Sequence, residues 1–376
     1  MKTSVLLFSM LSLAATIQAQ QSGQTMFNLL IGTYSSPDMN GIHVYTFNSE
    51  TAAFSKKAEV GGISNPSYLA VSADNKNVYA VNEVGKGQGS VSAFSFEPSS
   101  GKLTLLNHAS SGGDGPCYIT VDDKKRLVFV GNYSGGSLAA VPLNKDGSFQ
   151  ENIQAITHSG SSVLKNQDKP HVHATVLSPD GRFLFVPDLG TDKVNIYRVD
   201  YSGSKALVPA NPGFVDVKAG SGPRHFTFDS EGTFAYLIQE MTGVVTAFSY
   251  ADGNLQAKQS IGLAPSGFSG RIDAADIHLS PDGNFLYGSL RGDINEIVIL
   301  RVDKKGGLTY AGRQSTLGKT PRNFAIDPTG KFLLVANQNS GDIIVFRRDQ
   351  KSGLLTDTGK KITVDKPVCL KFTVAN

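Results

Sequence analysis

Short runs of alternating apolar and polar residues, each closed by Pro, Gly, Asp or Asn, fill the chain from about residue 26 to its end. The stretch from Lys169 to Asp200, KPHVHATVLSPDGRFLFVPDLGTDKVNIYRVD, shows the unit: an apolar strand (HATVL), a tight turn (SPDG), a second strand (RFLFVPD), a polar loop (LGTD) and a third strand (KVNIYRV). Val, Ile, Phe and Tyr favour a pleated, half-buried surface, and the breaks fall where Pro, Asp and Gly suit a turn. The middle of this unit recurs as NPSYLAVSADNKNVYAVNE, GPCYITVDDKKRLVFVGNY, GPRHFTFDSEGTFAYLIQE, DAADIHLSPDGNFLYGSLR and TPRNFAIDPTGKFLLVANQ, and a last copy begins with KPVCLKF.

The copies are spaced by roughly 46 to 54 residues and marked by Pro66, Pro116, Pro170, Pro223, Pro321 and Pro367, with Ala274 in place of Pro in the fifth. A period near 50 made of four short strands predicts an all-β, seven-bladed β-propeller of four-stranded blades. The last blade needs both chain ends. FNLLIGTY, GIHVYTF and KKAEV would supply three strands and VCLKFTV the innermost, which closes the ring and removes its open edges.

The unbroken repeat makes residues 26–376 one domain, although 376 residues would allow two. The N-terminus differs in kind: Lys2, an apolar run from Val5 to Ile17, then Gln18-Ala19-Gln20. This is the pattern of a secretory signal peptide over residues 1–19, too short to span a bilayer comfortably. With no Cys near the expected cleavage site, a lipid anchor is not expected, and the protein should be exported to the periplasm or secreted. Cys117 and Cys369 sit in different repeat columns and non-adjacent blades, so they read as small buried hydrophobes and not as a disulfide. A net charge of +3 offers no basic face for nucleic acid. A closed propeller is consistent with a monomer.

Aligned on the turn residue (Asn75, Lys125, Gly181, Gly232, Gly283 and Gly330), the copies match without gaps. The two open ends of each inner hairpin must then share the opposite face of the ring. The column eight residues before the turn holds Ser67, Cys117, His173, Arg224, Ala275 and Arg322. The column eight after it holds Glu83, Tyr133, Leu189, Glu240, Arg291 and Gln338, preceded by Asn82, Asn132, Asp188, Gln239, Leu290 and Asn337. Chemical variety therefore collects around one mouth of the central channel, where a rigid scaffold carries a site.

His171 and His173, two apart on an expected strand, should point to one side. No carboxylate cluster nearby in sequence and no third His at ligand spacing completes a metal site. His173 could instead serve as a general base or acid, or as a structural histidine bonding a loop. Arg224, Arg291 and Arg322 converging on one mouth would hold a carboxylate or phosphate through paired hydrogen bonds. Glu240 could orient His173, activate water, or pair with an arginine. Tyr133 and Asn132 could contact sugar hydroxyls, although Asn at a strand end also caps loops. The SPDG turns carry no chemistry, and no GxSxG, P-loop, HExxH or CxxC is present.

At these columns the sequence resembles the propeller lactonases, the bacterial β-propeller 6-phosphogluconolactonases and the fungal carboxymuconate lactonising enzymes. IGTYSSPDMNGIHVYTF, HVHATVLSPDGRFLFVPDLGTDKV, SGPRHFTF and TPRNFAIDPTGKFLLVANQNSGDIIVFRRD carry the likeness, which covers nearly the whole chain after the leader. It implies a seven-bladed propeller acting on a lactone with no metal or other cofactor. Its implied active-site residues are His173, Arg224, Glu240 and Arg291. Beside them, His171, Arg322, Tyr133, Asn132, His225 and Asn337 are the expected substrate contacts. The rim departs from the family pattern: Leu290 replaces a polar residue and Tyr118 stands where His is common. The expectation is an exported lactone hydrolase acting on a sugar lactone, phosphorylated or not. A muconate-type cycloisomerase and a non-catalytic binding propeller are the alternatives.

Overall fold

The computed structural model describes residues 25–200 and 205–375. The alternating pattern there resolves into seven antiparallel sheets of four strands each. A 3-10 turn at Lys165–Gln167 is the sole helical element among the described residues, and no helix there is long and apolar enough to cross a membrane. The expected leader falls outside the described residues.

Six sheets, blades one to six, follow the chain in order. The seventh joins its ends as expected: Pro367–Val374 lies innermost against Met26–Thr33, followed by Asn40–Asn48 and Phe54–Gly61. Its register runs from Phe27 opposite Val374 to Thr33 opposite Pro367. Aromatic side chains on the strand faces join neighbouring blades. Phe47 of blade seven meets Phe332 of blade six edge-on at 5.8 Å, and Phe185 of blade three stacks on Phe226 of blade four at 5.5 Å. Burying each such ring stabilises the fold by roughly 1.5–3 kcal/mol. Both cysteines are buried and unpaired.

A recurrent irregularity positions the mouth. In blade four, Pro223 lies opposite Gln239 while His225 lies opposite Ile238, so Arg224 is an extra residue bulged out of the ladder. The same shift leaves Arg322 between Pro321 and Asn323 in blade six and Cys117 between Pro116 and Tyr118 in blade two. Proline lacks the N–H that a ladder needs, so it fits the first position of the strand. The bulge after it turns the next side chain out of the alternation. The column that collects chemical variety is, in these blades, the column of bulged residues.

Blade three departs from the expectation. Its inner strand is only Val176–Leu177, and His171 and His173 stand ahead of it in irregular chain, tied by a single bridge between Val172 and Asp188. Pro187 in the facing strand is the physical reason: it accepts from the His173 N–H at 3.0 Å but has no N–H to donate back to the inner strand. Asp188 ties the end of the hairpin, its carboxylate accepting the backbone N–H groups of His171 (2.8 Å) and Gly190 (3.1 Å).

Candidate active site

The bulge in blade four turns Arg224 to face Glu240 from the end of the next strand. Arg224 Nε donates to Glu240 Oε2 at 2.8 Å, and Arg291 Nη2 reaches the same oxygen at 3.1 Å. Arg224 also donates through Nη1 to the carbonyl of Ala275. Arg291 donates to the carbonyls of Asp273 (3.2 Å) and Ala274 (3.3 Å). Of the roles open to Glu240, the structure shows the ion pair. Burial pushes its carboxyl upward, but Arg291, Arg224 and Arg322 together outweigh it and hold the group below its ordinary value. An ionised carboxylate held by two guanidiniums fixes them in place and is a poor proton acceptor.

Arg322 is different. Its guanidinium lies 5.4 Å over the ring of Tyr34, and it is close enough to Glu240 and His173 to lower the pKa of each. Among the described residues it forms no ion pair, unlike Arg224 and Arg291. It carries the mouth's uncommitted guanidinium donors.

His173 is buried (4 % exposed), with Nδ1 3.7 Å from Cys117 Sγ and its ring edge-on to Tyr133 and His225. Burial, with the charges of Arg224 and Arg322 and the ring of His225, holds its pKa well below the ordinary histidine value. The imidazole is therefore unprotonated near neutral pH. Burial raises the Cys117 thiol, which stays protonated and is no nucleophile. His171 stacks on Tyr133 at 4.5 Å and bonds its carbonyl oxygen through Nδ1 at 3.0 Å. Both histidines thus meet the same tyrosine ring, although neither lies on the inner strand. Burial pushes the phenol of Tyr133 up to about 12, so it remains a neutral donor.

Two expected substrate contacts are corrected. Asn132 and Asn337 are fully buried and commit their amide N–H groups to neighbouring loops and strand ends. Asn132 Nδ2 donates to Ser111 O (2.9 Å) and Ser137 Oγ (3.1 Å). Asn337 Nδ2 donates to Thr316 O (3.1 Å) and Asp342 Oδ1 (3.0 Å). The strand-end amide acts here as a loop tie. His225 is also buried, beneath Arg224, with Nδ1 2.7 Å from Asp276 Oδ1.

The sequence reading left unassigned a second group of residues on the blade-one side of the mouth. Tyr34 donates to both oxygens of Glu83 (3.1 and 2.9 Å), and Ser67 donates to Glu83 Oε2. Below them Tyr68 and Tyr118 stack at 4.1 Å, with His225 edge-on to both, forming a floor across the channel. Glu83 and Ser67 stand in the same columns as Glu240 and Arg224, so column position was the available signal. Among the described residues no group of three or more His, Cys, Asp or Glu is arranged to hold a metal.

The profile of the family described as "Lactonase, 7-bladed beta-propeller" matches residues 28–372. A 6-phosphogluconolactonase of Formosa agariphila is 37% identical over 332 residues, 86% of this chain and 93% of the relative. The 6-phosphogluconolactonase of Bacillus subtilis is 33% identical over 350 residues, 91% of this chain and 97% of the relative. The solved structure of a periplasmic gluconolactonase of Pseudomonas aeruginosa superposes with a TM-score of 0.90 at 40% identity, covering 94% of this chain and 100% of the other. With the blades, their closure and the matched length in agreement, the chain belongs to the seven-bladed β-propeller lactonase family and is a lactone hydrolase.

Proposed function

We propose that this chain hydrolyses an unphosphorylated sugar 1,5-lactone to its aldonate, outside the cytoplasm, as a metal-independent monomer. The observation that carries the reading is the balance of charge at the mouth. Three guanidiniums, those of Arg224, Arg291 and Arg322, face two carboxylates, Glu240 and Glu83, and among the described residues only Arg322 of the three has no carboxylate at ion-pair distance. One uncommitted cation suits a neutral lactone whose carbonyl oxygen gains a single negative charge in the transition state. A phosphate dianion would call for more. The exported setting is supported by the leader pattern at residues 1–19 and by likeness to the periplasmic gluconolactonase.

In this reading unprotonated His173 accepts a proton from water as the water oxygen adds to the carbonyl carbon. The displaced electron pair settles on the carbonyl oxygen, held by Arg322 with help from Arg291. Collapse of that intermediate breaks the ring C–O bond, and His173 returns the proton to the leaving alkoxide. Arg224 and Glu240 hold Arg291 in register, and His171 and Tyr133 flank His173.

The test is initial-rate hydrolysis of glucono-1,5-lactone and its 6-phosphate, corrected for spontaneous opening. A higher kcat/KM for the unphosphorylated lactone is expected, and His173→Ala should lower kcat by about a hundredfold or more. A clear preference for the phosphorylated lactone would overturn the substrate assignment. Near-normal turnover in His173→Ala would move the chemistry elsewhere.

A further inference from the structure

Beneath the mouth, a chain of buried hydrogen bonds crosses from blade four to blade six and converges on one carboxylate. Asp276, 1 % exposed in blade five, accepts from His225 Nδ1 (2.7 Å), His278 Nε2 (2.9 Å), Asn323 Nδ2 (2.5 Å) and the backbone N–H of Phe324 (3.3 Å). Burial opposes its charge, but His278, His225 and their hydrogen bonds hold the carboxyl well below its ordinary value. An ionised carboxylate can only accept. The His225 nitrogen facing it, Nδ1, must therefore carry a hydrogen.

His225 is buried too (5 % exposed), and burial together with Arg224 brings its pKa down to about 3 against the pull of Asp276. A neutral imidazole with hydrogen on Nδ1 has a bare Nε2. That nitrogen lies 3.2 Å from Arg224 Nη1, which can only donate. Nη1 also donates to the Ala275 carbonyl and Nε to Glu240, so His225 is the third support of this guanidinium. With the other tautomer, a ring N–H would face an arginine N–H and the support would become a repulsion. The tautomer decides whether Arg224 stays seated on Glu240.

We propose that Asp276 and His225 are positioning residues for the lactonase site: Asp276 fixes His225 in the tautomer whose Nε2 accepts from Arg224, and so sets the Arg224–Glu240–Arg291 group from below. The inference rests on the reading that this group serves the reaction, and it deepens that reading. The arrangement is the one by which a second hydrogen bond chooses which ring nitrogen of a functional histidine is free.

Two measurements test it on the full-length protein. In the first, nitrogen-15 spectra of the histidine side chains at pH 7, with His225 assigned by comparison with His225→Gln, should show hydrogen on Nδ1 and a bare Nε2. Finding hydrogen on Nε2, or an imidazolium, would overturn the proposal whatever the substrate is. In the second, steady-state kinetics compare His225→Gln, which offers a donor and an acceptor in one side chain, with His225→Phe, which offers neither. The Gln variant should keep kcat within about tenfold of wild type while the Phe variant loses about a hundredfold. Equal losses in both, with unchanged melting curves, would count against a positioning role. Arg224→Ala in parallel separates the two readings: full activity there would remove Arg224 from the reaction while leaving the tautomer result standing.

Discussion

Glu240 and Glu83 occupy the same column of the repeat, and their neighbours give them different roles. Glu240 lies between two guanidiniums, while Glu83 is met by a phenol and a hydroxyl. The difference leaves Arg322 as the mouth's available anion hook. Arg322→Ala should weaken binding of the product gluconate by roughly ten- to a hundredfold in calorimetric titration, the scale of one charge-assisted pair. Arg322→Lys should recover only part, because an ammonium lacks the forked geometry. Unchanged affinity in both variants would show that Arg322 does not touch the anion. A pH dependence follows from His225. Its pKa in the fold is about 3, below the roughly 6.5 of an unfolded histidine. The unfolded chain therefore takes up the proton first as pH falls. Stability from this group is full above about 6.5 and is lost progressively toward about 3. Asp276, also held low in the fold, acts in the same direction. Urea titrations at pH 7, 5 and 4 should show a steady fall in stability, shallower in His225→Gln; an equal slope in both would exclude His225 as its source.

The strand is the scale at which sequence reading worked best and at which its misses have clear causes. The repeat was legible because its period, its turn residues and its Pro markers recur together. The closing blade was legible because KPVCLKF is a fragment of the same unit. The columns located the mouth, since bulged residues keep a fixed place after the marker proline. Nearness to the mouth column does not reveal where a side chain points: Asn132 and Asn337 stand one residue before that column and bond outward to loops. Asp276 escaped notice because it follows the bulge and lies below the mouth. The residue ahead of the marker proline also recurs with positive φ: Asn65 at 46°, Gly115 at 60°, Gly222 at 67°, Thr320 at 62° and Lys366 at 42°. For Thr, a β-branched residue, this conformation costs roughly 1–2 kcal/mol. Thr320→Gly should therefore stabilise the protein by about 0.5–1 kcal/mol, part of the relief being offset by the greater freedom of Gly when unfolded. Equilibrium unfolding in urea reads the difference directly, and a destabilised variant would show that the Thr320 side chain contributes more than its strain costs.

At the scale of the whole ring, closure and chemistry share one strand. Pro367–Val374 completes blade seven through a ladder with Phe27–Thr33, and Val368, Cys369 and Leu370 on it are buried. The same strand reaches toward the site. The N–H of Leu370 donates to Asn323 Oδ1 at 2.7 Å, Asn323 Nδ2 donates to Asp276, and Asp276 holds His225 against Arg224. Removing the residues after Asp365 would expose the hydrogen-bonding edge of Met26–Thr33, an open strand prone to pairing with other chains. It would also take away the partner of Asn323. The truncated protein should accordingly melt well below the full-length one and aggregate. A milder probe keeps the ladder: Leu370→Ala removes buried side-chain volume but no backbone bond, and should cost about 2–5 kcal/mol. If the strand serves closure alone, the kcat of that folded variant should match wild type. If it also steadies Asn323 and Asp276, kcat should fall several-fold at a temperature where the variant is fully folded. A truncated protein that melts within a degree or two of the intact chain would show that the ring does not depend on its shared blade, and the link from chain end to active site would fail with it.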